Sequence, residues 1–550
     1  MTTRRRFLLD SSLLIAGAPL ARWFDLSSAL RGADVIADTA SGRVRGVATD
    51  GVNVFKGIPY GGSTAGANRF KPPPAPTPWT GVRDALEFGP TAPQARPGRA
   101  IPADQSEDCL VLNVFTPALG DGIKRPVMVW LHGGGFSSGS ASTWLYDGEN
   151  LARRHDVVVV TINHRLNVFG FTHLGETAGA EFAGAGAVGL LDIVAALRWV
   201  RVHAERFGGD PDCVTLFGQS GGGRKIATLM AMPGAAGLFH RAIIQSGPVL
   251  RLTTPDDGER ATRALFAELG LRPGQVRALQ DVSMERLLAA GNVVTRAFPG
   301  REPGTTANTP TVDGRVIPQH PWDPAAPALS ANIPLLIGHT RTEETAYQRP
   351  TDARVAMTDA ELRAGLAQRL GQDPSAVIAA YAAAHPDATP WDLNILITTD
   401  HPRGSYTREL ARRKAVAGGA SAFVYRFDWE TPEGVLVYER AFSRDAAPLV
   451  VPGGRMRSPH TMDIPFVFDN MATAGPLIST MPSAQVLATT MSEAWAAFAR
   501  TGDPNTSRLP HWPRYDTASR HTMLFNDACR VVADPEQGAR LAMEQVLGLA

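Results

Sequence analysis

Cysteine is scarce in this 550-residue chain, with three residues at positions 109, 213 and 529. So few and scattered thiols cannot frame a disulfide-stapled fold, and no CxxC or HExxH pair supplies metal-ligand spacing, so no metal is expected. A surplus of either charge is also missing. With 54 basic and 53 acidic residues the formal net charge is +1, which gives no electrostatic reason to expect nucleic acid or an extended acidic partner. Beyond the first thirty or so residues, no apolar run approaches the roughly 20 residues needed to span a membrane. Repeats with a period of about 20–50 residues are lacking, as are long low-complexity linkers. What remains, at 44% hydrophobic and 19% charged, is an ordinary globular composition with material for a large core.

The N-terminus differs in kind from the rest. MTTRRRFLLD carries three consecutive arginines and is followed by SSLLIAGAPLA, an apolar stretch too short for a bilayer but suited to a signal peptide. Thr3, Arg4, Arg5, Phe7 and Leu8 resemble the twin-arginine export signal. Residues 1–33 are therefore set apart as a signal and 34–550 as one domain, and a folded protein delivered to the periplasm or secreted is expected.

After the signal, DVIADTASGRVRGVATDGVNVFKGIPYG alternates apolar and polar residues between glycine turns, which predicts short antiparallel strands. RFKPPPAPTPWTG reads as an irregular surface segment. VLNVFTP, PVMVWL and VVVVTIN are then short, continuously apolar runs, as strands buried on both faces must be. GLLDIVAALRWVRVHAERF places Leu190, Ile193, Val194, Leu197 and Val200 on one helical face. CVTLFG, RAIIQSG, PLLIGHT and AFVYRFDW add strands, and DAELRAGLAQRL and SAVIAAYAAAH add helices. Strands alternating with helices predict a mostly parallel, doubly wound α/β sheet with helical insertions.

FGQSGGG, residues 217–223, fits the pattern G-x-S-x-G between a predicted strand and a predicted helix. In such an elbow the chain turns with almost no room, so small residues must flank the serine, and Gly218 and Gly222 do so. Ser220 is the candidate nucleophile. A serine of this kind needs donors for an oxyanion, a base and an acid that orients the base. HGGG, residues 132–135, ends the strand VMVWL and is the kind of loop whose backbone N–H groups line an oxyanion hole. Neither a GxGxxG nor a Walker lysine pattern follows that strand, which argues against a phosphate cradle. With the chain order serine, acid, histidine, the base is one of His385, His401, His460, His511 and His521. Of these, His460 follows a Gly/Pro-rich loop and precedes an apolar run. Glu343 and Glu344 both follow PLLIGHT at the edge where sites in such sheets gather.

FKGIPYG, EDCLVLNVFTP, VMVWLHGGGF, INHRLNVFGF, FGGDPDCVTLFGQSGGG, PTVDGRVIP, HTMDIPFVF and FARTGDPN together resemble the type B carboxylesterases, which include the cholinesterases and bacterial para-nitrobenzyl esterases. The resemblance covers nearly everything after the signal. It implies an α/β-hydrolase fold and a Ser-Glu-His triad of Ser220, Glu343 and His460, with oxyanion donors at Gly134, Gly135 and Gly221. It also implies hydrolysis of small to medium carboxylic esters by way of an acyl-enzyme and water, with no cofactor. Two rival readings are a specialised hydrolase of aromatic, carbamate or polyester-like esters and a cholinesterase-like binding module without activity; retention of all three triad residues speaks against the second.

The chain departs from that pattern in three places. Relatives usually read GESAG where this chain has GQSGG, so Gln219 is a substrate-pocket candidate whose neutrality disfavours choline esters. Arg224 and Lys225 stand where relatives have small or apolar residues, and they are expected to point away from the pocket rather than to assist a substrate carboxylate. The family disulfide position matched by Cys109 has Ala92 as its partner, so three free, buried thiols are expected.

Overall fold

The computed structural model describes residues 32–95, 105–175, 178–298, 300, 305–431, 457–474 and 476–549. Nearly all of the expected signal stretch lies outside them. One sheet begins with β1 (Ala33–Thr39), β2 (Gly42–Thr49), β3 (Val52–Pro59) and the short β4 (Val82–Asp84). It continues with β5 (Val111–Thr116), β6 (Arg125–Leu131), β7 (Val158–Ile162), β8 (Gly209–Gln219) and β9 (Arg241–Gln245). β10 (Leu335–Thr340), β11 (Ala422–Phe427), β12 (Thr522–Phe525) and β13 (Arg530–Val532) complete it. Across the sheet the order is β1-β2-β3-β5-β7-β6-β8-β9-β10-β11-β12-β13, with β4 on β2. From β7 to β12 every neighbouring pair is parallel, whereas β1, β2, β3 and β5 pair antiparallel, as the alternating N-terminal pattern predicts.

The continuous apolar runs are explained by burial on both faces. Along β6, Val127, Val129 and Leu131 enter one core with Val214, Leu216, Ile244 and Ile337 of neighbouring strands. Met128 and Trp130 enter the other with Phe217, Ile243 and Leu336. Two faces per strand follow from the two-residue repeat of the pleat. The helix Val188–His203 covers the first face with Leu190, Ile193, Val194, Leu197 and Val200. The helix Pro482–Thr501 covers the second with Leu487, Met491, Trp495 and Phe498. Contrary to the expectation that no such run follows the N-terminus, residues 180–207, with the preceding turns, form a helical stretch long and apolar enough to cross a membrane. Here 67% of its most apolar window is buried in the protein.

Cys109, Cys213 and Cys529 are free. Cys109 lies in the same core as Ala92, but Cys213 and Cys529 are only half-buried, because they sit near strand ends.

The first helix is fastened to the sheet by one buried ion pair. Arg165, just past β7, donates through Nε (2.8 Å) and Nη2 (2.6 Å) to the two oxygens of Asp192. Both side chains are at most 2% exposed. Removing one partner of such a pair leaves a charge in a dry interior, which costs about 3–5 kcal/mol. Asp192→Ala should therefore lower the urea midpoint by that equivalent, while Asp192→Leu combined with Arg165→Met should recover most of the loss.

Candidate active site

The carboxyl ends of the parallel strands meet at one edge of the sheet, and the residues singled out in the sequence stand there. Gln219 ends β8, and Ser220 starts the turn into the helix Gly221–Leu229. Ser220 adopts φ 56° and ψ −119°, a conformation a non-glycine residue holds at a cost of about 1–3 kcal/mol and only when its surroundings impose it. The imposing contacts are local. Ser220 N–H donates to Gln245 O of β9 at 2.7 Å, and its carbonyl accepts from Arg224 N–H at 3.0 Å. A side chain at Gly222 would put its Cβ 1.8 Å from Leu131 O, so the elbow closes only with glycine there.

The HGGG loop follows β6 and passes directly against this elbow. Gly134 and Gly135 have φ of 92° and 64°, which glycine adopts without steric cost. A Cβ on Gly221 would lie 2.1 Å from Gly135 O, and one on Gly133 3.5 Å from Ser220 Cβ. Gly134, Gly135 and Gly221 are thus gathered beside Ser220, at the start of a helix where backbone N–H groups carry partial positive charge.

Glu343 lies three residues beyond β10 and is completely buried. Its Oε1 accepts from Thr340 N–H at 2.9 Å, while its Oε2 hydrogen-bonds His460 Nδ1 and accepts from Arg403 Nη1 at 3.1 Å. Burial pushes this carboxyl up, but attraction to His460 and Arg403 outweighs it and holds the group at about 2. The segment before His460 is stitched to the loop before Glu343, Ser458 N–H donating to Thr342 Oγ1 at 2.9 Å. Burial pushes the His460 imidazole below its ordinary value, Arg403 adds to that, and Glu343 opposes it. Glu344, the alternative acid, points elsewhere: it is half-buried and its nearest cation, Arg369, is 3.9 Å away. Of the five late histidines, His460 is the one against Glu343.

Two expectations need correction. Gln219 is 1% exposed and its Nε2 lies 3.3 Å from each ring nitrogen of His460, so it meets the imidazole and not the open cavity. Nor does Arg224 point away, whereas Lys225 stays out of the cavity lining as expected. Arg224 is one helical turn beyond Ser220, so it returns to the same face, and it lines the cavity beside the elbow. Lys225 is fully buried and donates to His132 O at 3.0 Å, tying the HGGG loop to the elbow helix, and burial alone lowers its ammonium to about 7.

Arg403 was not legible in the sequence. It sits at the kink Asp400–Gly404, 60 residues beyond Glu343, and nothing in HPRGSYTREL marks it. Asp463, three residues beyond His460, was also missed. It accepts from Gln245 and Tyr425, each at 2.9 Å, and burial raises its carboxyl to about 6. A serine at a strained elbow, gathered backbone donors and a buried carboxylate–imidazole pair are the parts that acyl transfer requires.

The sequence pattern of the carboxylesterase family matches residues 33–541. The chain is 35% identical to the para-nitrobenzyl esterase of Bacillus subtilis (strain 168) over 511 residues, covering 92% of this chain and 97% of that protein. It is 34% identical to the phenmedipham hydrolase of Pseudarthrobacter oxydans over 518 residues, covering 90% and 96%. Among solved structures, the Geobacillus stearothermophilus carboxylesterase superposes with a TM-score of 0.78 at 37% identity, covering 92% of this chain and 99% of that one. Fold and sequence agree that the chain belongs to the carboxylesterase family, with the α/β-hydrolase architecture, and is a carboxylic ester hydrolase.

Proposed function

We propose that Ser220 is the nucleophile, His460 the general base and Glu343 the acid of a triad that hydrolyses small to medium carboxylic esters. The observation that carries this reading is the buried contact between Glu343 and His460 at the sheet edge where Ser220 holds φ 56°. Ser220 Oγ attacks the ester carbonyl as His460 takes its proton, and Glu343 stabilises the imidazolium that forms. The backbone N–H groups of Gly134, Gly135 and Gly221 hold the oxyanion. The tetrahedral intermediate collapses, the alcohol leaves with the proton from His460, and an acyl-enzyme remains. Water, deprotonated by His460, repeats the attack and releases the acid and Ser220. These steps call for no metal or cofactor.

Residues 34–550 form one catalytic domain in this reading, a proposal supported by a single sheet whose strands run from Ala33 to Val532. The paired arginines Arg4 and Arg5 before an apolar run support export to the periplasm or beyond.

An organophosphate should label the protein stoichiometrically at Ser220, and Ser220→Ala should lose the label and at least about 10⁴-fold in kcat; labelling retained in the variant would assign the nucleophile elsewhere. A base must be neutral to act, so the downward shift of His460 keeps kcat/KM high below the ordinary imidazole value. Arg403→Met removes the cation that opposes imidazolium formation, and the acid limb of the kcat/KM profile should move to higher pH. Lys225→Met should lower kcat about tenfold with a smaller change in KM, because a slack oxyanion loop misplaces donors without emptying the pocket; steady-state kinetics separate the two effects.

A further inference from the structure

Arg403 reaches the triad acid from the kink Asp400–Gly404, where the helix Pro390–Thr399 runs into the helix Ser405–Ala417. Inside the kink His401 leaves the helical conformation, with φ −99° and ψ 101°. Across such a break the helix's own hydrogen bonds no longer fix where side chains aim, so tertiary contacts must do so. Asp400, which opens the kink, supplies them. It is 9% exposed, and its Oδ2 accepts from the Tyr381 hydroxyl at 2.5 Å while its Oδ1 accepts from Arg408 Nη1 at 3.1 Å. Tyr381 belongs to a separate helix, Ser375–Ala384, and Arg408 also donates to Ser405 Oγ at 3.1 Å, just past the kink. The carboxylate presses on the far end of the kink as well. A Cβ on Gly404 would lie 1.9 Å from Asp400 Oδ1 and 3.1 Å from His339 Nε2. Gly404 has helical φ −60° and ψ −44°, so glycine serves there for space and not for its backbone freedom.

We propose that Asp400 is a positioning residue for ester hydrolysis, bracing both ends of the kink so that Arg403 is held against Glu343 and His460. This role rests on the serine esterase reading. Burial pushes the Asp400 carboxyl up, and Arg408 more than reverses this, so the brace is charged at neutral pH. The sign of its effect separates positioning from simple electrostatics. Around His460, Arg403 opposes the imidazolium, whereas Glu343 and Glu344 favour it. Acting through space, loss of the Asp400 carboxylate leaves the Arg408 charge uncompensated, which disfavours the imidazolium further. Acting through position, the same loss lets Arg403 leave its place, which favours the imidazolium. The two routes move the base in opposite directions.

The acid limb of the kcat/KM profile, measured with the full-length enzyme on a neutral 4-nitrophenyl ester, tests this. Arg403→Met should move the limb to higher pH by about one unit, and Asp400→Asn should move it the same way by about half a unit or more. The double variant should go no further than Arg403→Met alone, because both substitutions remove one interaction. Tyr381→Phe, which keeps the ion pair, should give a smaller shift of the same sign, and it carries the test if Asp400→Asn fails to fold. A limb that stays in place or moves to lower pH in the folded variants overturns the positioning role, as does a double variant in which the two shifts add in full. A limb unmoved by Arg403→Met overturns it too, since nothing then remains to be positioned. In each of these outcomes the esterase stands. Full hydrolysis retained by Ser220→Ala overturns the serine esterase reading itself, and the role of Asp400 with it.

Discussion

Glu343 places a carboxylate where no water reaches, and the arrangement of the catalytic edge follows from the need to keep it charged. An isolated ion in such a position costs several kcal/mol. Here three groups from separate parts of the chain converge on it: the Thr340 N–H at the end of β10, the His460 imidazole and the Arg403 guanidinium. Each donor fixes a different segment. Thr340 ties the acid to the sheet, His460 brings in a segment anchored through Ser458 to Thr342, and Arg403 pins the kink Asp400–Gly404. The imidazole is thereby held in one orientation before any substrate arrives, which is the preorganisation acyl transfer exploits.

The second constraint is backbone against backbone. The elbow and the HGGG loop approach so closely that a Cβ on Gly221 would collide with Gly135. Lys225 then fastens the two segments from behind through His132 O. A buried ammonium on a carbonyl is an expensive fastener, and the lowered proton affinity of Lys225 records that cost. What it secures is the relative position of the elbow and the HGGG loop, the proposed nucleophile and oxyanion donors, where displacements of about 1 Å are large in kinetic terms.

The legibility of the chain divides along physical lines. β6, β7, β8, β9, β10 and β11 were readable because strands buried on both faces leave uninterrupted apolar runs. β12 was not, being four residues long, and neither was the helix Pro482–Thr501, whose alanines and threonines blur the apolar stripe. Ser220 and the HGGG loop announce themselves because steric demands force a local signature. His460 does not: its identity depends on meeting Glu343 across 117 residues of chain, and it emerged from the resemblance to a family rather than from spacing. Arg403 had neither a local signature nor a family pattern to reveal it. Arg224 was misjudged because two adjacent charges read as a solvated face, when it returns to the nucleophile's side of the helix; Lys225 keeps out of the cavity, but enclosed against the HGGG loop rather than solvated.

These misjudged residues change the electrostatic character of the site. In the proposed attack one cation, the imidazolium, and one anion, the oxyanion, form close to one another. Glu343 supports the first, and Arg403 opposes it. A glutamate at position 219 would have set a second carboxylate against the imidazole ring; Gln219 contributes a dipole there and no charge. Nearby positive charge, from Arg403 and from whatever fraction of Lys225 is protonated, favours the oxyanion through the same low-dielectric medium that disfavours the imidazolium. In a site weighted in this way, stabilisation rests more on the anion that forms than on the base that accepts the proton. A neutral residue beside the serine is then consistent with its surroundings, because added negative charge at position 219 would cancel the cations that the oxyanion uses.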